Sequence, residues 1–215
     1  MNQLLCLKSV EKAILNIENV EVIVINNGSN DSTPLKIKVE THFARATRGG
    51  AGFAKCAGNY GASFFPTRLA KEEGFDQILW TDGRENKYIE ESGTMNVMFI
   101  INGTLITPST SDSILDGITR DSILSLTNEM DMPVEIKKIS VDDLEKALKE
   151  NQVSEAFGTG TAAVVAPIES ISINGHNYIL PAIDENAFML RAKKKLMQIR
   201  TGVAADKFSW NTIIE

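Results

Sequence analysis

The chain has 215 residues, 43% of them hydrophobic and 23% charged, the composition of an ordinary soluble globular protein with one large domain or two small ones. A net charge of −6 leaves no basic surplus to neutralise phosphates, which excludes a nucleic-acid partner, and no apolar stretch reaches the ~20 residues that span a bilayer, which excludes the membrane. Cys6 and Cys56 make at most one bridge and the N-terminus lacks a charged-then-apolar signal pattern, so the expected compartment is the cytoplasm.

Residues 8–17 read as a short helix, and the β-branched run Val20 to Ile25 as a strand. The polar run Asn26 to Pro34 is a linker. Leu35 to Glu40 alternates apolar and charged residues, as a half-buried strand does. A Gly-rich segment, 49–60, follows. Residues 61–73 form a helix with an apolar face and a stop at Gly74. Strands are expected at Gln77 to Thr81, Lys87 to Glu91 and Val97 to Ile101, the last turning through Asn102-Gly103 into Thr104 to Ile106. Thr119 to Met130 is helical and Val134 to Ile139 a strand. Ser140 caps a helix reaching Glu150, with Asp143 in the reciprocal capping position. Short strands at 154–157, 162–165, 168–173 and 177–180 surround turns such as Asn174-Gly175, and a last helix spans 184–201 before Gly202. Its basic run, Arg191 with Lys193 to Lys195, is a solvated face. No repeat is visible. Helices mixed with hairpin-like strand pairs predict a mixed α/β domain rather than a doubly wound parallel sheet.

Lys55 is the residue that carries chemistry. It stands in Gly-Gly-Ala-Gly-Phe-Ala-Lys-Cys-Ala-Gly-Asn-Tyr, residues 49–60, where small neighbours leave its amine uncovered. Such a lysine is a candidate for a carbonyl-reactive amine, the group that forms a Schiff base with pyridoxal phosphate; the alternative is a charge on a flexible surface loop. His42 and His176 are far apart and have no companion ligands, so no metal site is expected.

The Lys55 run and three further strings, Tyr88-Ile-Glu-Glu-Ser-Gly-Thr-Met-Asn96, Leu115-Asp-Gly-Ile-Thr-Arg-Asp121 and Phe157-Gly-Thr-Gly-Thr-Ala-Ala163, occur in the order found in branched-chain aminotransferases. From about Pro34 to Trp210 the chain resembles this family of fold-type IV pyridoxal-phosphate enzymes. The resemblance implies a pseudo-barrel large domain at 34–215, behind a short N-terminal segment, 1–33, without a clear match. Family members carry a small domain ahead of this region, and residues 1–33 are too few to form it.

The resemblance also assigns roles. Lys55 is the Schiff-base and proton-shuttling lysine, and Tyr60 lies near the cofactor's phenolic oxygen. Glu91 meets the pyridine nitrogen and keeps the ring cationic. Glu90, on the opposite face of the strand, is read as its solvated neighbour. Arg45 lies near the cofactor, whereas Arg48 is a surface charge. Thr94 is at a site-facing turn. The backbone amides of Ile118 and Thr119, at a helix start, hold the phosphate together with the Thr161 hydroxyl. The amides of Ala162 and Ala163 hold the substrate carboxylate. Ala163 and Ala166 stand where some relatives have a redox-active Cys-x-x-Cys, so no thiol switch is expected. The implied activity is transfer of an amino group from leucine, isoleucine or valine to 2-oxoglutarate, in a homodimer. The alternatives are a D-amino-acid aminotransferase, an aminodeoxychorismate lyase, or a cofactor-binding domain with impaired catalysis.

Overall fold

The computed structural model describes residues 33–212; the helix expected at 8–17 and the strand expected at Val20 to Ile25 lie outside the described residues. The strands are β1 (Leu35–Glu40), β2 (Gln77–Thr81), β3 (Ile89–Ser92), β4 (Met95–Ile101), β5 (Thr104–Thr107), β6 (Val134–Ile136), β7 (Val153–Gly160), β8 (Val164–Ile173) and β9 (His176–Ile179). The helices are α1 (Ala57–Glu72), α2 (Ile118–Leu126, continued by a 3-10 turn to Met130), α3 (Val141–Lys149) and α4 (Phe188–Arg200).

Six strands close on themselves in the order β3-β2-β1-β8-β7-β4, because β3 also pairs with β4. β1 runs parallel to β2, and α1 is the crossover that parallel neighbours require. The other ring pairings are antiparallel except β1 with β8. β5 and β6 extend the sheet beyond β4, and β9 pairs with β8. All six ring strands feed one apolar cluster: Ile37, Leu79, Ile89, Phe99, Ala156 and Ile171 each come from a different strand. α3 adds Val141, Leu144 and Leu148 to it. The outer faces of β4, β5, β7 and β8 bury Met98, Leu105, Phe157 and Val165 beneath α2 and α4. α1 covers Ile78 and Trp80. The mixed α/β pseudo-barrel is therefore present.

Several boundaries differ from expectation for identifiable reasons. The two strands expected at 162–165 and 168–173 are one strand, β8, running through Pro167. Its pairing with β1 begins only at Ile168, so the missing N–H of Pro167 breaks no bond on that side. α4 starts at Phe188 rather than 184, since the Glu155 carboxylate of β7 accepts the amides of Phe188 and Met189 at 2.7 and 2.9 Å. That cap comes from another element and leaves no local signal. α1 begins at Ala57, before the expected 61, and β6 ends at Ile136 rather than 139. Asn102-Gly103 and Asn174-Gly175 both adopt the left-handed pair of φ values (50° and 76°, 51° and 81°) that a tight hairpin needs. Ser140 caps α3 by accepting the Asp143 amide at 3.0 Å, but the Asp143 carboxylate receives the Ser140 hydroxyl rather than its amide.

Candidate active site

Lys55 stands exposed in the loop that leads into α1. The loop is fixed from both sides. Asn59, in the first turn of α1, donates its amide to the carbonyls of Ala51 and Ala54, both at 2.9 Å. On the other flank, Phe53 and Gly49 donate their amides to the carbonyl and carboxylate of Asp112, at 3.0 and 2.6 Å. Gly52 is required by close approach: a Cβ there would lie 2.6 Å from the backbone of Ser113.

Five of the expected site residues line one cleft: Arg45, Lys55, Tyr60, Glu91 and Thr94. Past Tyr60 and Thr94 it opens into a wider groove along α1, lined by Phe64, Thr67 and Arg68. Thr94 sits with Gly93 in the two-residue turn joining β3 to β4. Glu91 is buried at the cleft floor, its side chain 3% exposed. Oε1 accepts the Leu115 amide at 2.8 Å and the Asn96 side-chain amide at 3.4 Å. Oε2 lies 3.0 Å from Arg45 Nε, an ion contact whose N–H is not aligned for a hydrogen bond. Arg45 in turn donates Nη2 to the carbonyls of Ser113 at 2.6 Å and Gly52 at 3.3 Å. Burial pushes the Glu91 carboxyl up to about 7; Arg45, the Leu115 amide and Lys55 pull the other way, and Glu90 adds to the rise.

Glu90 corrects the sequence reading. It does point away from Glu91, as strand alternation requires, but it is not solvated: the residue is 7% exposed. The loop 109–113 folds over that face. The Ser113 hydroxyl donates to Oε1, while Oε2 has no partner among the described residues. Burial is the main reason that its carboxyl is raised above the ordinary range, against the Ser113 bond and Arg45.

The remaining expected residues lie outside the lining of this cleft. α2 begins at Ile118, with Gly117 extended before it and no side chain capping its amides; Thr119 is inside the first turn rather than at the cap. Asn96 ties this helix start to the floor. Its Nδ2 donates to Leu115 O at 2.8 Å, and its Oδ1 occupies the space that a Cβ on residue 117 would need. Thr161, Ala162 and Ala163 form the turn from β7 to β8, with Val164 behind them at φ 61°. Strand register places Glu91, Asn96 and Thr159 in one row across β3, β4 and β7. Thr159 Oγ1 is buried without a partner among the described residues. Asn59, Asn96, Ser113, Leu115 and Thr159 are not among the expected site residues. All but Ser113 stand inside the quoted strings, but the placement of Asn96 and Thr159 depends on strand register. The contacts of Leu115 depend on its backbone alone.

A closed barrel thus presents an accessible lysine and a buried carboxylate in one cleft. A model of the amino-transferase class IV family matches residues 21–171, and the chain belongs to that family. Within it, the chain is 42% identical over 179 residues to branched-chain-amino-acid aminotransferase 2 of Bacillus subtilis, covering 83% of this chain and 49% of that protein. It is 39% identical over 187 residues to a probable branched-chain-amino-acid aminotransferase of Staphylococcus aureus, covering 87% and 52%. The chain thus spans about half the length of the curated relatives it matches. The crystal structure of the Escherichia coli branched-chain amino acid aminotransferase superposes with a TM-score of 0.67 at 27% identity, over 82% of this chain and 54% of that one. The T.th. branched-chain amino acid aminotransferase complexed with N-(5'-phosphopyridoxyl)-L-glutamate gives 0.70 at 25% identity, over 84% and 56%.

Proposed function

We propose that the chain carries pyridoxal phosphate as a Schiff base on Lys55 and serves an aminotransferase that moves the amino group of leucine, isoleucine or valine to 2-oxoglutarate. The observation that carries this reading is the pairing, in one cleft, of an exposed lysine with a carboxylate buried among hydrogen-bond donors. The donor set suits the cofactor. Lys55 supplies the amine, Glu91 an anion for a ring nitrogen, and the uncapped start of α2 free amides for a phosphate. When bound, the cofactor supplies an electron sink for the carbanion formed at the substrate's α-carbon.

The protein's own residues do the rest. Lys55 Nζ would serve as the base that moves the substrate α-proton. Glu91 would keep a bound ring nitrogen cationic, and Arg45 holds Glu91. Tyr60 faces the same cleft and would meet the phenolic oxygen. Thr94, on the β3–β4 turn, borders the entry. The amides of Ile118 and Thr119 and the Thr161 hydroxyl would take the phosphate, and the amides of Ala162 and Ala163 the substrate carboxylate. Relatives named for branched-chain amino acids support the substrate class, and the phosphopyridoxyl-glutamate in the T.th. structure supports cofactor and acceptor. A cytoplasmic homodimer, and the division into 1–33 and 34–215, belong to the same proposal. No described helix is long and apolar enough to cross a membrane.

The test is a visible spectrum of the purified chain with pyridoxal phosphate, before and after leucine, beside Lys55→Ala. A Schiff-base band that leucine converts to the pyridoxamine form, and that Lys55→Ala lacks, is the expected result. A band that leucine leaves unchanged would mean a cofactor-binding domain without turnover. The same band in Lys55→Ala would refute the assignment of Lys55.

A further inference from the structure

Glu90 and Glu91 are the buried carboxylates among the described residues, and the reading above gives Glu90 no task. A carboxylate is an expensive residue to bury, and Oε2 of Glu90 has no partner among the described residues. Packing alone would be better served by an apolar side chain. What a glutamate offers here is an acceptor for Ser113.

Ser113 is held at every polar atom. Its hydroxyl donates to Glu90 and also bonds Ser111 Oγ at 3.0 Å, its amide donates to Ser111 Oγ at 3.2 Å, and its carbonyl accepts Arg45 Nη2 at 2.6 Å. The other acceptor of that guanidinium nitrogen, Gly52 O, is longer at 3.3 Å. Ser113 is therefore the principal restraint on Arg45 apart from Glu91 itself. Arg45 Nε then stands 3.0 Å from Glu91 Oε2. A continuous series of contacts runs from Glu90 through Ser113 and Arg45 to Glu91, and it links the two faces of β3.

We propose that Glu90 is a positioning residue for Glu91: it fixes Ser113, Ser113 fixes Arg45, and Arg45 fixes the carboxylate that meets the cofactor's ring nitrogen. The proposal rests on the reading of Glu91 given above. Its effect acts through the ring nitrogen, so it separates from a general loosening of the fold.

The test compares pyridoxal phosphate with its 1-deaza analogue, in which a C–H replaces the ring nitrogen, as ligands of the full chain. Glu90→Ala is expected to weaken pyridoxal phosphate binding roughly tenfold, the effect of one charge-assisted contact, and to change binding of the analogue by less than about twofold. Glu90→Gln keeps an acceptor for Ser113 and is expected to recover most of the loss. Equal weakening of both ligands, or no weakening of pyridoxal phosphate, overturns the proposal. A second readout needs no cofactor. The Arg45 Nη2–H that Ser113 O accepts should exchange slowly with solvent in the parent chain and in Glu90→Gln, and quickly in Glu90→Ala; slow exchange in Glu90→Ala overturns the proposal. If the parent chain binds neither ligand, the functional reading falls and this exchange measurement alone decides the positioning role.

Discussion

Arg45 and Glu91 meet 3.0 Å apart, with their side chains 9% and 3% exposed. They come from different parts of the fold: Arg45 belongs to the loop after β1 and Glu91 to β3. Two buried charges are tolerated there because each also has backbone partners, Leu115 N–H for the acid and the carbonyls of Ser113 and Gly52 for the base. Such a pair adds little to stability over an apolar pair of the same shape, but removing one partner strands the other.

Arg45→Met is therefore expected to cost about 3–5 kcal/mol at pH 8, where Glu91 is ionised and would be left uncompensated. The cost should shrink near pH 5, because a carboxyl already pushed up to about 7 is then protonated. Urea unfolding of the cofactor-free chain at the two pH values checks this. Equal losses at both would mean that the arginine acts by packing alone.

Glu91 also sets a pH dependence. Its folded value of about 7 lies above the ordinary 4.5. Below pH 4.5 the carboxyl is protonated in both states and its contribution is fully present. Between 4.5 and 7 the unfolded chain ionises first, so stability falls as pH rises, by on the order of 3 kcal/mol. Asp82 acts in the other direction: its slight burial raises it, but backbone amides of Tyr88, Glu85, Lys87 and Arg84 pull it lower overall. The difference between the parent chain and Glu91→Gln removes that background. Glu90, also raised by burial, leaves a fall of the same sign in both chains, so the fall should be distinctly steeper in the parent than in Glu91→Gln; parallel profiles would contradict the assignment.

Gly117 has φ −73°, which any residue adopts, so its need for glycine is spatial. A Cβ would collide with Asn96 Oδ1, and Asn96 is 5% exposed with its amide committed to Leu115 and Glu91. Gly117→Ala is expected to destabilise by about 1–3 kcal/mol through overpacking. It should also weaken pyridoxal phosphate more than pyridoxal, which lacks the phosphate that the α2 amides would hold. Asn96→Ala loses bonds of its own but makes room for the new methyl, so Gly117→Ala should cost less in that background. Melting temperatures of both single variants and the double decide it; an equal cost in the two backgrounds would show that the clash lies elsewhere.

Alternation and turn chemistry made the barrel strands legible. Leu35 to Glu40 and Gln77 to Thr81 coincide with β1 and β2, and both Asn-Gly pairs turn as hairpins. Through the family resemblance, two of the four motifs pointed to Lys55, Tyr60, Glu91 and Thr94, which line one cleft; Arg45 lies outside all four strings. What stayed hidden was set by tertiary contact. Glu155 caps α4 from β7, and Pro167 passes through a strand because pairing with β1 begins one residue later. The 109–113 loop buries a glutamate that alternation alone sends to solvent. A sequence specifies which face Glu90 takes, but not which distant loop covers that face.

Val164 closes the turn that displays Thr161, Ala162 and Ala163. Its φ of 61° is unusual for a β-branched residue, and the Val165 amide bonds back to Ala163 O at 2.7 Å across it. Left-handed backbone costs roughly 1–2 kcal/mol. The same residue is 6% exposed and joins the cluster of Phe157, Val165 and Phe188, where burying a valine contributes about 1.5–3 kcal/mol. Burial outweighs strain, so Val164→Gly should lower stability despite relieving the backbone, by about 1 kcal/mol. Amide exchange at Thr161 to Ala163 should quicken as the turn loses its buried anchor. A gain in stability would reverse the ranking of the two effects and show that the turn is held strained at the fold's expense.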